Sequence, residues 1–249
     1  MKKLLKKNVI ITGAGAGIGQ AIAIEFAKQG ANLLLNDIDS LGIEWLAKDL
    51  QENYRVRVKT FQADVANSTE VANMYDFFDK SFNSLDIIVN NAGFAQERSI
   101  TEMTDDDWDR MIRVHLYGTF YNCREAAKRM VELRKGKIIN LASDLGMLGA
   151  EYFAHYAASK GGIISLTKSL ARELAPYILV NGIAPAATWT TIINEFGEGY
   201  EEKEAAKYPL KRFGQPEEIA KTALFLASDD SAFYTGQILC PNGGVVMNG

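Results

Sequence analysis

Cysteine is nearly absent from this chain: Cys123 and Cys240 are the only two in 249 residues, and they lie far apart. They match no metal-ligand spacing, which excludes a disulfide framework and leaves no metal site to expect. Proline is scarce as well, with five residues, and no proline- or serine-rich stretch marks a linker. Residues 1–249 are therefore expected to form one domain, a length at which α/β folds often stay undivided. Long apolar runs are missing. After Lys2, Lys3, Lys6 and Lys7, only Val9-Ile10-Ile11 precedes Thr12 and Gly13, too short for a signal-peptide core, and nothing later approaches a membrane span. An excess of positive charge is missing too, since a net charge of −4 argues against a nucleic-acid partner. With 47% hydrophobic and 23% charged residues, the chain reads as a cytoplasmic globular protein with neither membrane nor nucleic acid as partner.

What is present is alternation. Residues 8–12 form an apolar run that meets glycines at once, and helical spacing follows through Ile18, Ala21, Ile22, Glu25 and Phe26. The pattern repeats, with strands predicted at 32–36, 56–63, 85–89, 137–141 and 179–183. Helices are predicted at 40–50, 68–82, 108–133 and 156–174, and another begins at Pro216-Glu217-Glu218. The 85–89 run is apolar except for Asp86, as expected when both faces of a parallel sheet are covered. Such alternation predicts an α/β fold with a doubly wound parallel sheet and right-handed crossovers. Residues 186–213, polar and glutamate-rich with Gly197 and Gly199, break it, and an insertion of that length is expected to be a substrate lid carrying short helices.

The first turn reads Thr12-Gly13-Ala14-Gly15-Ala16-Gly17-Ile18-Gly19. Glycines allow close backbone approach, and the helix that starts there offers unpaired amides and a positive dipole end to a pyrophosphate. Asp37 ends the second strand, where a carboxylate can accept hydrogen bonds from both ribose hydroxyls of an adenosine, while Asp39 and Ser40 are better placed to cap the next helix. Neither Ala16 nor Ile38 offers a cation to a 2′-phosphate, and Asp37 would repel one, so NAD is expected rather than NADP. Asp64-Val65 and Asn90-Asn91-Ala92-Gly93 follow the third and fourth strands, at the strand ends where such sheets bind ligands. Tyr156 and Lys160 sit four apart on one helix face, with Ser143 upstream. A phenol beside an ammonium is a candidate proton-transfer device, each unit of pKa lowering needing about 1.4 kcal/mol of preference for the phenolate. For the pair alone, a Tyr packed on a helix flank and a solvent-facing Lys is the favoured reading.

Taken in order and spacing, these motifs resemble the short-chain dehydrogenase/reductase family over nearly the whole chain. The resemblance rests on TGxxxGxG at Thr12 to Gly19, Asp64-Val65, NNAG at Asn90 to Gly93, Ser143 thirteen residues before Tyr156, and YxxxK at Tyr156 to Lys160. Asn181, Pro185, Thr190 and the Gly214-x-Pro216-Glu217-Glu218 helix start extend it. It implies a Rossmann-like sheet of about seven strands with helices on both faces, in a homotetramer. Tyr156 would be the general acid or base, Ser143 would hydrogen-bond the reacting oxygen, and Lys160 would lower the Tyr156 pKa and bind the nicotinamide ribose. By position, the NAD contacts would be Gly13, Gly15, Ala16, Gly17, Ile18, Gly19, Asp37, Ile38, Asp64, Val65, Asn91, Ala92, Gly93, Tyr156, Lys160, Pro185, Ala186, Thr188 and Thr190. The family's usual Asn in the long helix is His115 here. It would either preserve a water relay through its main-chain carbonyl or add a group titrating near pH ~6.5. His155, which precedes the tyrosine, is read as a bystander. Pro185-Ala186-Ala187 and Pro241-Asn242-Gly243-Gly244 also depart from the commoner forms, and the glycine pair is expected to serve subunit packing.

For the substrate, Ser143, Leu145, Met147, Leu148, Phe153, Trp189, Ile192 and Phe196 are candidates to line an apolar pocket with Phe94 and Gln96 at its mouth, or the apolar residues are plain loop packing. Arg134 and Arg172 are candidate contacts for an acidic carrier protein. The leading expectation is an NAD(H)-dependent oxidoreductase interconverting a secondary alcohol and a ketone, on 3-hydroxyacyl or 3-oxoacyl thioesters of CoA or a carrier protein. A sugar or polyol dehydrogenase is the rival, because HYAASKGG at His155 to Gly162 also resembles glucose dehydrogenases. A non-catalytic dinucleotide sensor is the alternative of another class.

Overall fold

The computed structural model describes residues 2–190 and 199–247. In chain order the strands are β1 (Asn8–Thr12), β2 (Asn32–Asp37), β3 (Val58–Gln62), β4 (Ile87–Asn90), β5 (Gly136–Leu141), β6 (Ile178–Ile183) and β7 (Ile238–Leu239). They form one sheet in the order β3-β2-β1-β4-β5-β6-β7, every neighbouring pair parallel. The helices are α1 (Gly17–Lys28), α2 (Ser40–Tyr54), α3 (Ser68–Ser81), α4 (Asp105–Ile112), α5 (Gly118–Leu133), α6 (Leu145–Leu148), α7 (Ala154–Leu174), α8 (Tyr200–Ala205) and α9 (Pro216–Ala227).

Successive side chains of a strand point to opposite faces, and here both faces are apolar. Val9, Ile11, Leu33, Leu35 and Val89 pack on one side with Ile22 and Phe26 of α1, Ile43 and Leu46 of α2, and Ile219 and Ala223 of α9. Ile10, Leu34, Ile88, Ile138 and Val180 pack on the other with Met74 and Phe78 of α3, Cys123 and Met130 of α5, and Ala171 of α7. The strand order reverses direction about β1, which lies between β2 and β4. A crevice therefore opens beyond the strand C-termini at that point.

Several boundaries differ from expectation for local reasons. The helix predicted at 108–133 begins earlier, at Asp105, because Thr104 and Asp107 form a reciprocal capping box. It is also interrupted by a π turn at Arg113–Tyr117, where the Gly118 amide reaches back five residues to Arg113 O. The helix predicted at 40–50 runs on to Tyr54 and stops where Arg55 turns left-handed (φ 55°), which shortens the following strand to Val58–Gln62. Asp39 caps α2 by accepting from the Leu41 amide, as its position suggested. In the insertion, α8 is one short helix, and Ala205, Tyr208 and Phe213 pack with Ala186, Ala187 and Val245. Ile192, Phe196 and Gly197 lie outside the described residues. Among the described residues no helix is long and apolar enough to cross a membrane.

Candidate active site

Two strand ends are joined at the crevice. Thr12 Oγ1 accepts from the amides of Asn91 (3.0 Å) and Ala92 (3.1 Å), and Asn91 Nδ2 donates to the carbonyls of Thr12 (3.1 Å) and Gly13 (2.9 Å). This brings the β1 turn against the β4 turn so closely that a Cβ on Gly13 (φ +63°) would lie 2.7 Å from Ala92 Cα, and one on Gly19 would lie 2.0 Å from Gly13 O. Helix α1 starts there without a side-chain cap and with no acid in its first turn, so its amides are left to whatever enters the crevice. Asp37 flanks the turn. Its Oδ2 accepts from the Gly15 amide (2.9 Å) and its Oδ1 from the Asp39 amide (3.1 Å).

The other end is built on α7. A Cβ on Gly146 would fall 2.7 Å from the Lys160 carbonyl carbon, so glycine lets the Ser143-bearing turn lie directly on the α7 backbone. A buried polar ladder fixes the register. Asn90 Nδ2 donates to Asn140 Oδ1 (2.8 Å), Asn140 Nδ2 to Thr167 Oγ1 (2.9 Å), and Thr167 Oγ1 to Ile163 O (2.8 Å), tying β4 and β5 to α7. Ser143 Oγ donates to Asp144 Oδ1 (2.9 Å), and the Leu145 amide donates to both oxygens (3.2 and 2.8 Å). The Ser143 hydroxyl lies near enough to Tyr156 to favour its phenolate. Lys160 is buried, its Nζ donating to Leu141 O (2.8 Å) and standing 5.6 Å from the Tyr156 ring centre.

Burial dominates the electrostatics. It pushes the Tyr156 phenol up to about 12, with the Ser143 hydroxyl opposing and the Asp144 charge adding. Burial alone brings Lys160 down to about 7. The depressed Tyr156 pKa expected from Lys160 is not what the pair shows by itself, because burial disfavours the charged form of both groups. Burial also lifts Asp144 to about 6, opposed by Ser143 and the Leu145 amide and reinforced by Glu204. His115 is held well below its ordinary range, first by burial and then by Lys160. It is a neutral ring, not the group titrating near neutrality that its type allowed. Its Nε2 stands 2.8 Å from Phe94 O, and its ring meets Tyr156 edge-on at 5.3 Å. His155 is fully buried and outside the cavity lining.

The cavity has a volume of about 970 Å³. Gly13, Ala16, Gly17, Ile18, Asp37, Ile38, Asp64, Val65, Asn91, Ala92, Gly93, Pro185, Ala186, Thr188 and Thr190 line it together with Ser143, Tyr156, Lys160 and His115. Gly15 and Gly19 do not line it. Of the substrate candidates, Ser143, Phe94, Leu145 and Phe153 line it, and Gln96, Met147, Leu148 and Trp189 do not. Gln96 turns away to donate to Asp107 Oδ1 (2.9 Å), and Trp189 is partly exposed, its ring 5.7 Å from Phe213. Met147 packs with Ile163 and Ile164, while Leu148 is exposed. The 243–244 glycines face their own chain: a Cβ on Gly244 would lie 2.9 Å from Pro209 Cγ. Arg134 stacks on Tyr177, 4.1 Å from the ring centre. Sequence reasoning missed Asp144, Glu204 and Tyr208, which all line the cavity, and the Asn140–Thr167 bond. Only Asp144 carried a signal, its adjacency to Ser143. Among the described residues no group of three or more His, Cys, Asp or Glu side chains could hold a metal ion.

A protein-family model described as enoyl-(acyl carrier protein) reductase matches residues 13–246. The chain is 35% identical to a 3-oxoacyl-[acyl-carrier-protein] reductase FabG of Thermotoga maritima, over 98% of this chain and 100% of that protein. It is 38% identical to a protein of the same name from Staphylococcus aureus, over 98% and 99%. Among solved structures, a short-chain dehydrogenase/reductase described as glucose/ribitol dehydrogenase from Brucella melitensis superimposes with a TM-score of 0.93 at 36% identity, covering all of both chains. A levodione reductase matches with a TM-score of 0.93 at 31% identity, over 97% and 98%.

Proposed function

From the premise that this chain belongs to the short-chain dehydrogenase/reductase family of oxidoreductases, we propose that it interconverts a secondary alcohol and a ketone with NAD(H), on 3-hydroxyacyl or 3-oxoacyl thioesters of CoA or a carrier protein. The observation that carries this is the span of one cavity from the uncapped α1 N-terminus and Asp37 to Ser143 and Tyr156. The residues fit a dinucleotide. Glycines at 13 and 19 leave backbone where a side chain would clash, and the α1 amides face the lining. Asp37, with Ala16 and Ile38 beside it and no cation at either, supports NAD over NADP. The nicotinamide supplies or takes the hydride.

The chain's own residues handle the proton. In the reductive direction Tyr156 Oη gives its proton to the ketone oxygen as charge grows there, and Ser143 Oγ holds that oxygen. In the oxidative direction Tyr156 Oη takes the hydroxyl proton as the hydride leaves carbon. Lys160 Nζ, anchored on Leu141 O and brought near neutrality by burial, is the neighbouring group that holds or releases a proton. Phe94, Leu145 and Phe153 give the reacting carbon an apolar wall. The names of the 3-oxoacyl reductases support the thioester substrate. A sugar or polyol substrate is the second reading, supported by the glucose/ribitol dehydrogenase likeness and by Asp144 and Glu204 in the lining. The family resemblance also supports a cytoplasmic homotetramer of one-domain subunits, with 186–213 as lid.

The test is a screen of acyl thioesters, sugars and polyols against NADH, NADPH and their oxidised forms, read by nicotinamide absorbance. Turnover of 3-oxoacyl thioesters with NADH is expected, and preferred oxidation of a polyol would replace that substrate. Tyr156→Phe is expected to abolish hydride transfer while leaving NADH binding nearly intact; retained turnover would sink the mechanism.

A further inference from the structure

We propose that Asp144 is a positioning residue for the Ser143 hydroxyl, its carboxyl group deciding whether the single Ser143 proton points at Asp144 or at the reacting oxygen. The proposal rests on the reading of Ser143 and Tyr156 as the proton-handling pair, and it concerns a residue to which that reading gives no role.

A serine hydroxyl has one hydrogen and two lone pairs. Ser143 Oγ donates to Asp144 Oδ1 at 2.9 Å, accepts from the Leu145 amide at 3.2 Å, and lines the cavity together with Tyr156. One proton thus has two competing acceptors. While Asp144 is a carboxylate, the charge-assisted bond keeps that proton, and Oγ offers only lone pairs towards Tyr156 and the substrate. Once Asp144 is protonated, it can donate to Oγ, and the Ser143 proton is released to point into the cavity. Hydride transfer to a ketone builds negative charge on the reacting oxygen, so only this second arrangement stabilises it.

Among the described residues no cation pairs with Asp144. It is 5% exposed, and its own amide is engaged by Pro185 O. Tyr156 and Lys160 face the site from α7, with Lys160 bonded elsewhere, to Leu141 O. Glu204 and Tyr208 face it from the segment that begins at α8, Tyr208 Oη lying 3.2 Å from Glu204 Oε1. The Leu145 amide joins Ser143 in holding the carboxylate, at 2.8 Å. Burial raises Asp144 to about 6, so both arrangements are reachable near neutral pH. The sign follows. Protonated Asp144 disappears as pH rises through that value, and the rate of ketone reduction at saturating substrate falls with it, about tenfold for each unit beyond. Asp144→Asn, whose amide can donate to Oγ at every pH, removes this limb.

The experiment pairs two readouts on wild type, D144N and S143A. An infrared difference titration of the protein alone is expected to show a buried carboxyl group with a midpoint near pH 6. That group should be absent from D144N and shifted upward in S143A, where the hydroxyl donor is gone. The pH profile of NADH oxidation by acetoacetyl-CoA is expected to carry the falling limb in wild type and to lose it in D144N. If wild type turns over and D144N keeps the limb, the proposal is overturned and the proposed function stands. If wild type reduces no substrate, the function fails and the titration alone decides, an unshifted midpoint in S143A overturning the link between the two residues.

Discussion

The imidazole of His115 fills the space above Gly93: a Cβ on that glycine would lie 2.3 Å from Cε1 of the ring. The same ring spans the turn through Nε2 and Phe94 O and presents its edge to Tyr156. His115 is therefore a wedge between the β4 turn and the tyrosine, and Gly93 is the residue that admits it.

Gly93→Ala must displace the ring towards Tyr156 or away from the β4 turn. A misplacement of about 1 Å near reacting groups costs on the order of 100-fold in rate, and a loss of kcat of that size is expected. His115→Ala in the same chain removes the clash. Steady-state kinetics over the full mutant cycle should show the double variant faster than Gly93→Ala alone, and additive losses would count against the wedge.

Asp37→Ala removes the carboxylate that flanks the glycine turn and accepts from the Gly15 amide. The ratio of kcat/KM for NADH over NADPH is expected to fall about tenfold, the worth of roughly one hydrogen bond to a charged group. A wild type that already prefers NADPH would overturn the cofactor assignment.

Lys160 makes stability depend on pH. Its folded pKa of about 7 lies below the ordinary 10.5, so between those values the unfolded chain carries a proton that the folded chain does not. Stability from this residue is present above the higher value and is lost as pH falls to the lower one. Urea midpoints of the wild type are expected to rise across that alkaline window, and Lys160→Met should flatten the rise. Parallel curves for the two proteins would show that the ammonium is not the source.

Asn140→Leu breaks the ladder between Asn90 and Thr167 in its middle. Buried polar groups that lose a partner cost about 1–3 kcal/mol each. A drop of at least that size is expected in chemical unfolding, with turnover falling as α7 loosens against the sheet. Unchanged stability would mean that Asn90 and Thr167 find other partners.

What the sequence made legible was whatever a short stretch decides by itself. The glycine turn is readable because Gly13 and Gly17 adopt positive φ within a few residues, and the Tyr156–Lys160 face follows from helix geometry alone. Even so, the pair read as unremarkable until the turn, Asp37 and the strand-end asparagines supplied a context. Other features depend on chain segments meeting. Asp144, Glu204 and Tyr208 converge only because the segment that begins at α8 folds back over the Ser143 turn. Gln96 is drawn off by Asp107, and β7 is two residues long, too short for any alternation to register. The π turn escaped because the apolar pattern on either side of it is helical.

That turn at Arg113–Tyr117 has a further meaning. Each residue of a helix advances its neighbours by about 100° around the axis, so one residue beyond the regular count changes the phase of everything downstream. Before it, α4 directs Arg110 over the Phe94 ring at 4.8 Å; after it, α5 sends Cys123, Ala126 and Met130 into the sheet. A straight helix could not serve both. The wide turn takes up that residue, so the two halves keep the faces the fold needs even though the count between them is one more than a regular helix would hold.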